Sequence, residues 1–247
     1  MKAKVNIGTS GFRIPRVEYT QLFSCVEIQQ TFYQPPQIRT LERWRQETPQ
    51  GFEFTLKAWQ LITHAAKSPT YKRLKKQLSE LEKEEAGYFK PSDLVREAWE
   101  VTLACARALK AKTILFQCPA SFKQTRENIS NLERFFSSIN QEKFNFGWEP
   151  RGDWDNEVVK SICGNLNLWH VVDPFASKSV TPDKCYFRLH GRKGWRYKYD
   201  DEELAELALM LPEKKSSYVF FNNIQMTEDA LKFREIIKAQ GVAGREV

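Results

Sequence analysis

No apolar run in this chain approaches the roughly 18 residues that a membrane-spanning helix needs, and the opening Met1-Lys2-Ala3-Lys4-Val5-Asn6-Ile7 has no signal-peptide core. There is no Cys-x-x-Cys pair: the five cysteines, Cys25, Cys105, Cys118, Cys163 and Cys185, are scattered and odd in number. That pattern argues against a disulfide framework and against a zinc cage, and the expectation is a cytoplasmic protein with reduced thiols. Histidine is scarce, with three residues and no His-x-Glu-x-His spacing. Ser/Gly linkers and internal repeats are also missing. What is present is a core: 41% of the 247 residues are hydrophobic and 13% aromatic, which excludes a disordered or low-complexity chain. Lys and Arg number 38 against 31 Asp and Glu, a formal charge of +7, and this excess suits an anionic partner without identifying it.

Eight short runs rich in β-branched and aromatic residues recur along the chain, at 4–8, 25–29, 52–57, 113–117, 144–148, 168–172, 185–189 and 218–221. Runs this short and apolar fit strands covered on both faces, as in a parallel sheet. Between them lie helical patterns at 38–46, from Pro91 to Ala104, and at 128–139, 156–162, 202–211 and 227–239. Carboxylates open the last two, where the helix dipole favours them. Strand followed by helix about eight times, at about 31 residues per unit, indicates an α/β fold, a (β/α)8 TIM-like barrel forming one domain over 1–247. Two spacings are uneven. About 61 residues separate the third and fourth strand starts, which leaves room for a helical insertion at about 65–90. Within it, Tyr71–Glu85 places Leu74, Leu78 and Leu81 at helical spacing, read as a solvated amphipathic helix in preference to a lid or nucleic-acid arm. Asp173 to Lys184 is too short for a normal helix and reads as an irregular loop.

In such a barrel, function gathers where strands end and loops begin. The polar residues there are Thr9 and Ser10 after strand one; Glu27, Gln29 and Thr31 at strand two, followed by Tyr33; and Lys57 with His64 after strand three. Gln117 ends strand four, Glu149 and Arg151 follow strand five, and Asp173 follows strand six. Arg188 and His190 close strand seven; Asn222 and Asn223 close strand eight.

These residues sit in motifs that resemble a known family. Gly8-Thr9-Ser10-Gly11-Phe12, Glu27-Ile28-Gln29-Gln30-Thr31-Phe32-Tyr33 and Phe54-Thr55-Leu56-Lys57-Ala58 with Ile62-Thr63-His64 are similar to the YecE-like proteins (domain of unknown function 72). So are Phe116-Gln117-Cys118-Pro119, Trp148-Glu149-Pro150-Arg151, Phe187-Arg188-Leu189-His190-Gly191-Arg192 and Phe220-Phe221-Asn222-Asn223, in order from Ile7 to Asn223. The resemblance implies a TIM-barrel-like fold and supplies no established reaction. Phe12 stands where the family usually has Trp, and Gln29-Gln30 replaces its usual Asn-Ser.

Three constellations carry chemistry. Arg188, His190, Arg192 and Lys193 with Asn222 and Asn223 suit phosphate or carboxylate oxygens, since many TIM barrels bind phosphate at the loops after strands seven and eight. Lys57 and Arg151 would extend that field; the competing expectation pairs Arg188 with Glu27, Glu149 or Asp173. Glu27, Glu149, Asp173 and His190, with His64 nearby, could hold Mg2+, Mn2+ or Zn2+, or act without metal through a His190 or Glu149 base and an electrophilic Lys57. Gly191-Arg192-Lys193-Gly194-Trp195-Arg196-Tyr197-Lys198-Tyr199 alternates cations with aromatics, which suits either a lid over a small ligand or single-stranded nucleic acid. His170 reads as a satisfied core histidine, and Gly8–Gly11 as a tight turn. The expectation is an enzyme of the hydrolase class acting on an anionic, phosphorylated small molecule or a phosphodiester. Its rival is a non-catalytic single-stranded nucleic-acid-binding protein.

Overall fold

A computed structural model of the chain describes residues 4–139, 144–213 and 215–239. In chain order its elements are β1 (Val5–Thr9), α1 (Arg16–Leu22), β2 (Cys25–Ile28), α2 (Gln30–Tyr33), α3 (Ile38–Gln46), β3 (Glu53–Lys57) and α4 (Gln60–Thr63). A 3-10 turn (Pro69–Arg73) follows, then α5 (Glu80–Glu85), α6 (Asp93–Leu109), β4 (Thr113–Gln117), α7 (Arg126–Ser138), β5 (Asn145–Glu149) and α8 (Asn156–Asn165). The last are β6 (Trp169–His170), β7 (Cys185–Leu189), α9 (Asp201–Leu209), β8 (Ser217–Phe221) and α10 (Met226–Ala239). The chain forms two compact units, one from Met1–Glu27, Glu47–Glu53 and Trp169–Val247, the other from Ile28–Gln46 and Phe54–Leu168.

In the first unit β8 lies between β1 and β7, all parallel, with Gly8 and Arg188 both opposite Phe220. A bridge from Ser10 to Glu27 brings the end of β2 beside β1, and one from Val172 to Phe187 sets the segment after β6 beside β7. β1, β7 and β8 are buried along their whole length, as two-sided parallel strands must be. Helix α9 starts on a capping box in which Asp200 and Glu203 exchange side-chain and backbone hydrogen bonds. Asp173 to Lys184 carries no helix, as its length requires.

In the second unit β3, β4 and β5 are parallel neighbours, with Lys57 opposite Leu115 and Gln117 opposite Glu149. Their outer cover is an aromatic cluster in which Phe116 meets Trp99, Phe135, Phe136 and Phe146 at ring separations of 4.9–6.1 Å. Ser92, Thr125 and Asp155 cap α6, α7 and α8 with their side chains.

All eight strands and six of the helices fall where hydrophobic spacing puts them. The insertion is helical in part, but Tyr71–Glu85 is not one helix. The 3-10 turn, started by Ser68 and Pro69, ends at Leu74, and α5 restarts at Ser79, whose capping box with Glu82 supplies the first-turn donors with partners. Leu81 is left exposed, so the leucine spacing marks no buried face. The short α1, α2, α4 and α5 escape the periodicity because two turns or fewer cannot display it.

Gly8 is a position where packing demands glycine, because a Cβ there would collide with the Cys25 carbonyl group. Gly8→Ala should therefore cost about 1–3 kcal/mol through overpacking. A urea melt that leaves the midpoint in place would contradict this close approach of β1 and β2.

Candidate functional site

The first unit buries a complete ion pair. Glu27 and Arg188 are both fully inaccessible, and the guanidinium grips the carboxylate through Nη2 to Oε1 at 2.9 Å and Nε to Oε1 and Oε2 at 3.1 and 3.0 Å. The remaining acceptor capacity is filled by the Ser10 hydroxyl on Oε1 at 2.9 Å and the Tyr186 phenol on Oε2 at 2.6 Å. Tyr186 and Arg188 are two residues apart on β7 and so share a face of the strand. A buried charge persists only with such full hydrogen bonding. Of the two readings of Arg188, pairing with Glu27 is the one observed.

Arg188 Nη1 continues the network to His190 Nε2 at 3.5 Å, and Asn222 Nδ2 lies 3.1 Å from His190 Nδ1. A guanidinium only donates, and the roles of the two ring nitrogens follow the tautomer of His190. Asp173 fixes the position of this histidine by accepting from the His190 backbone N–H at 2.9 Å, while its other oxygen caps the turn at Phe175. His190, Asp173 and Asn222 are half-buried, within reach of solvent. Asn223 is turned the other way: its Nδ2 donates to the Tyr197 carbonyl and to Asp229, whose carboxyl burial pushes upward in pKa. Thr9 is likewise fully buried, with its hydroxyl 2.8 Å from the Gly11 carbonyl and 2.9 Å from the Tyr19 phenol. Both residues stood among the ligand contacts expected from sequence; here the Thr9 hydroxyl and the Asn223 amide nitrogen face protein groups.

The basic loop after β7 is pinned. Gly191 N donates to the Tyr199 phenol, Asn223 Nδ2 to the Tyr197 carbonyl, and the Tyr197 phenol to Glu203 at 2.6 Å. Arg192 pairs with Glu203 at 3.2 Å and lies over the Phe175 ring, which itself stacks on Tyr199. Gly191 and Gly194 take the positive φ angles of 87° and 98° that the two reversals demand.

The second unit carries a cationic cluster of its own. The Lys57 ammonium sits 3.5 Å above the Phe32 ring, nearly buried, and the His64 ring meets the same phenyl edge-on at 4.8 Å. Burial, and then the positive charges of Lys57 and Arg151, drive the His64 pKa down to about 3. Its Nδ1 is 2.8 Å from the Thr63 hydroxyl. Glu149, almost inaccessible, binds Arg151 through Oε1 at 2.8 Å and 3.0 Å. Gln117 lies beside Glu149 in register. Thr31 is buried with its hydroxyl directed to the Lys57 and Ile28 carbonyls, so it braces β3 where a ligand contact was expected. Tyr33 is half-buried under the Arg73 guanidinium at 4.3 Å. Burial also pushes the Cys118 thiol up, which leaves no thiolate nucleophile there.

The model of the family described as "Protein of unknown function DUF72" matches residues 16–246. The chain belongs to the DUF72 family. The UPF0759 protein YunF of Bacillus subtilis strain 168 is 24% identical over 239 residues, 83% of this chain and 79% of YunF. A crystal structure of a DUF72 family protein from Enterococcus faecalis V583 superposes with a TM-score of 0.72 at 22% identity, covering 96% of this chain and 98% of that one. At the level of fold alone, endonuclease IV from Thermus thermophilus matches with a TM-score of 0.55 at 8% identity over 96% and 98% of the two chains. A xylose isomerase-like TIM barrel/4-hydroxyphenylpyruvate dioxygenase fusion protein matches with a TM-score of 0.55 at 11% identity, over 98% of this chain and 44% of that one. The DUF72 chain thus has the α/β, TIM-like barrel fold that its spacing implies.

Among the described residues, no three His, Cys, Asp or Glu side chains of this DUF72 protein form a group that could hold a metal ion. Arg188 occupies Glu27, and the Asp173 oxygens bond backbone N–H groups. Nor does any helix among them reach the length and hydropathy of a membrane span. Tyr186, Phe32 and Glu203 are the structural partners that the search along strand ends passes over. Strand alternation would have found Tyr186, since it shares the face of Arg188.

Two outcomes follow from these networks. Arg188→Met strands the buried Glu27 carboxylate and should lower stability by about 3–5 kcal/mol, most of it recovered in the Glu27→Leu/Arg188→Met double variant; equal melts for wild type and Arg188→Met would contradict the pairing. For His64, the unfolded chain binds a proton below pH 6.5 that the folded chain refuses until about 3. Stability is therefore full above that range and falls with acid by up to about 1.4 kcal/mol per pH unit. Urea melts at several pH values between 7 and 4 should show this slope reduced in His64→Gln.

Proposed function

We propose that this DUF72 chain is an enzyme acting on an anionic, phosphoryl-bearing substrate, with hydrolysis of a phosphodiester as the reaction. The observation that carries the reading is His190: a solvent-reachable imidazole at the ends of β7 and β8, set between the Arg188 guanidinium and the Asn222 amide and braced by Asp173. TIM-like barrels commonly bind phosphate at those two loops. In the proposed step, water attacks phosphorus as its proton passes to a base, the P–O bond to the leaving alkoxide breaks, and that alkoxide takes a proton. His190 serves as the acid/base, Asp173 positions His190, and Arg188 polarises His190 while remaining held by Glu27. Within the second unit, Lys57 and Arg151 form a separate cationic cluster beside His64, whose pKa is lowered first by burial and then by these charges. Likeness of fold to endonuclease IV supports trying nucleic-acid phosphodiesters first and goes no further.

The test is turnover of bis(p-nitrophenyl) phosphate, p-nitrophenyl phosphate and labelled oligonucleotides, each with and without Mg2+, Mn2+ and Zn2+. Phosphodiester cleavage is expected, falling by roughly 10^2- to 10^4-fold in His190→Gln, the range that a general acid–base group contributes. If every substrate is inert in every buffer, or His190→Gln cleaves at the wild-type rate, the reading fails.

A further inference from the structure

We propose that Trp195, with Ile224 beside it and Arg196 against its ring, is a stacking platform for an unpaired nucleobase, which makes single-stranded nucleic acid the ligand of the strand-end site. The proposal rests on the reading of His190 as a phosphoryl site and adds the substrate class.

Trp195 is 58% exposed and Ile224 51% exposed, and the two are tied together by a 2.7 Å hydrogen bond from Ile224 N to the Trp195 carbonyl. An indole presented to water in this way adds nothing to the core, whereas the same loop buries Tyr199. The display is held in place. Gly194 N bonds the Gly191 carbonyl, Tyr197 N bonds the Gly194 carbonyl, and Asn223, Glu203 and Tyr199 hold the two limbs. The tip therefore meets a ligand already ordered, which lowers the entropic cost of binding.

The cations of the loop divide in two. Arg192 is taken by Glu203 and Glu206 and packs on Phe175, so it anchors the loop. Lys193, Arg196 and Lys198 are exposed, and the Arg196 guanidinium stands 5.1 Å from the centre of the indole. One exposed π-face bordered by cations matches the alternation of base and phosphate in a single strand. It matches a membrane or a large protein partner less well, since those need a wide apolar patch. The platform also adjoins the site in sequence and space. Gly191 follows His190, Ile224 lies two residues past Asn222, and Asn222 and His190 are in contact.

Fluorescence anisotropy of a labelled dT10 at low salt, with the full chain, tests this. The expected result is binding that weakens as salt rises, drops by roughly 5- to 150-fold in Trp195→Ala, and is largely kept in Trp195→Phe. An abasic decamer, with the same phosphates and no bases, should bind the wild type about as weakly as dT10 binds Trp195→Ala. Unaltered dT10 affinity in Trp195→Ala, equal binding of the abasic strand, or Trp195-dependent binding to anionic vesicles with none to dT10 would overturn the platform. Cleavage of small phosphodiesters without Trp195-dependent dT10 binding overturns the platform and leaves the His190 reading standing. Trp195-dependent dT10 binding without any cleavage supports the platform and removes the enzymatic reading.

Discussion

A fully buried carboxylate and guanidinium, Glu27 and Arg188, is the interaction on which the strand-end face of the first unit depends. Two charges without solvent access are tolerated because Ser10 and Tyr186 complete the hydrogen bonding of the carboxylate. The pair joins β1, β2 and β7 through side chains at the same strand ends where backbone pairing has thinned to a single Ser10–Glu27 bridge. An apolar substitute could fill the volume. It would not aim a donor at His190.

That pair also reaches further along β7. Arg188 is inaccessible, and its Nη1 extends the network to the half-buried His190. Asp173 sets where His190 sits, and Asn222 lies against its Nδ1. The second unit builds its own environment by other means: an ammonium against an aromatic face, a carboxylate tied to arginine, and a histidine kept neutral first by burial and then by neighbouring positive charge. In each unit the strand ends hold charged groups in partly dry surroundings, where electrostatic forces act strongly.

The fold was legible because two-sided strands write continuous apolar runs: Cys185–Leu189 and Ser217–Phe221 could be read with no structure at hand. The candidate site residues were legible as a class, since they follow those runs, but their surroundings were not. Thr9, Thr31 and Asn223 look from sequence like Asn222. Only coordinates show their polar atoms turned to the Gly11, Lys57 and Tyr197 carbonyls. The insertion misled for a local reason: Leu74, Leu78 and Leu81 keep helical spacing, yet Ser79 forms a capping box that starts a new helix between them. Arg192 illustrates the limit of charge counting, because Glu203, remote in sequence from the loop core, claims it.

The most direct measurement is a side-chain 15N–1H spectrum of the three histidines, titrated with a dinucleotide phosphodiester. His170, buried with Nδ1 accepting from the Val180 N–H, serves as an internal reference. The account predicts a saturable shift of the His190 ring nitrogens while those of His170 stay fixed. A His190 signal that does not move at saturating phosphodiester would contradict it.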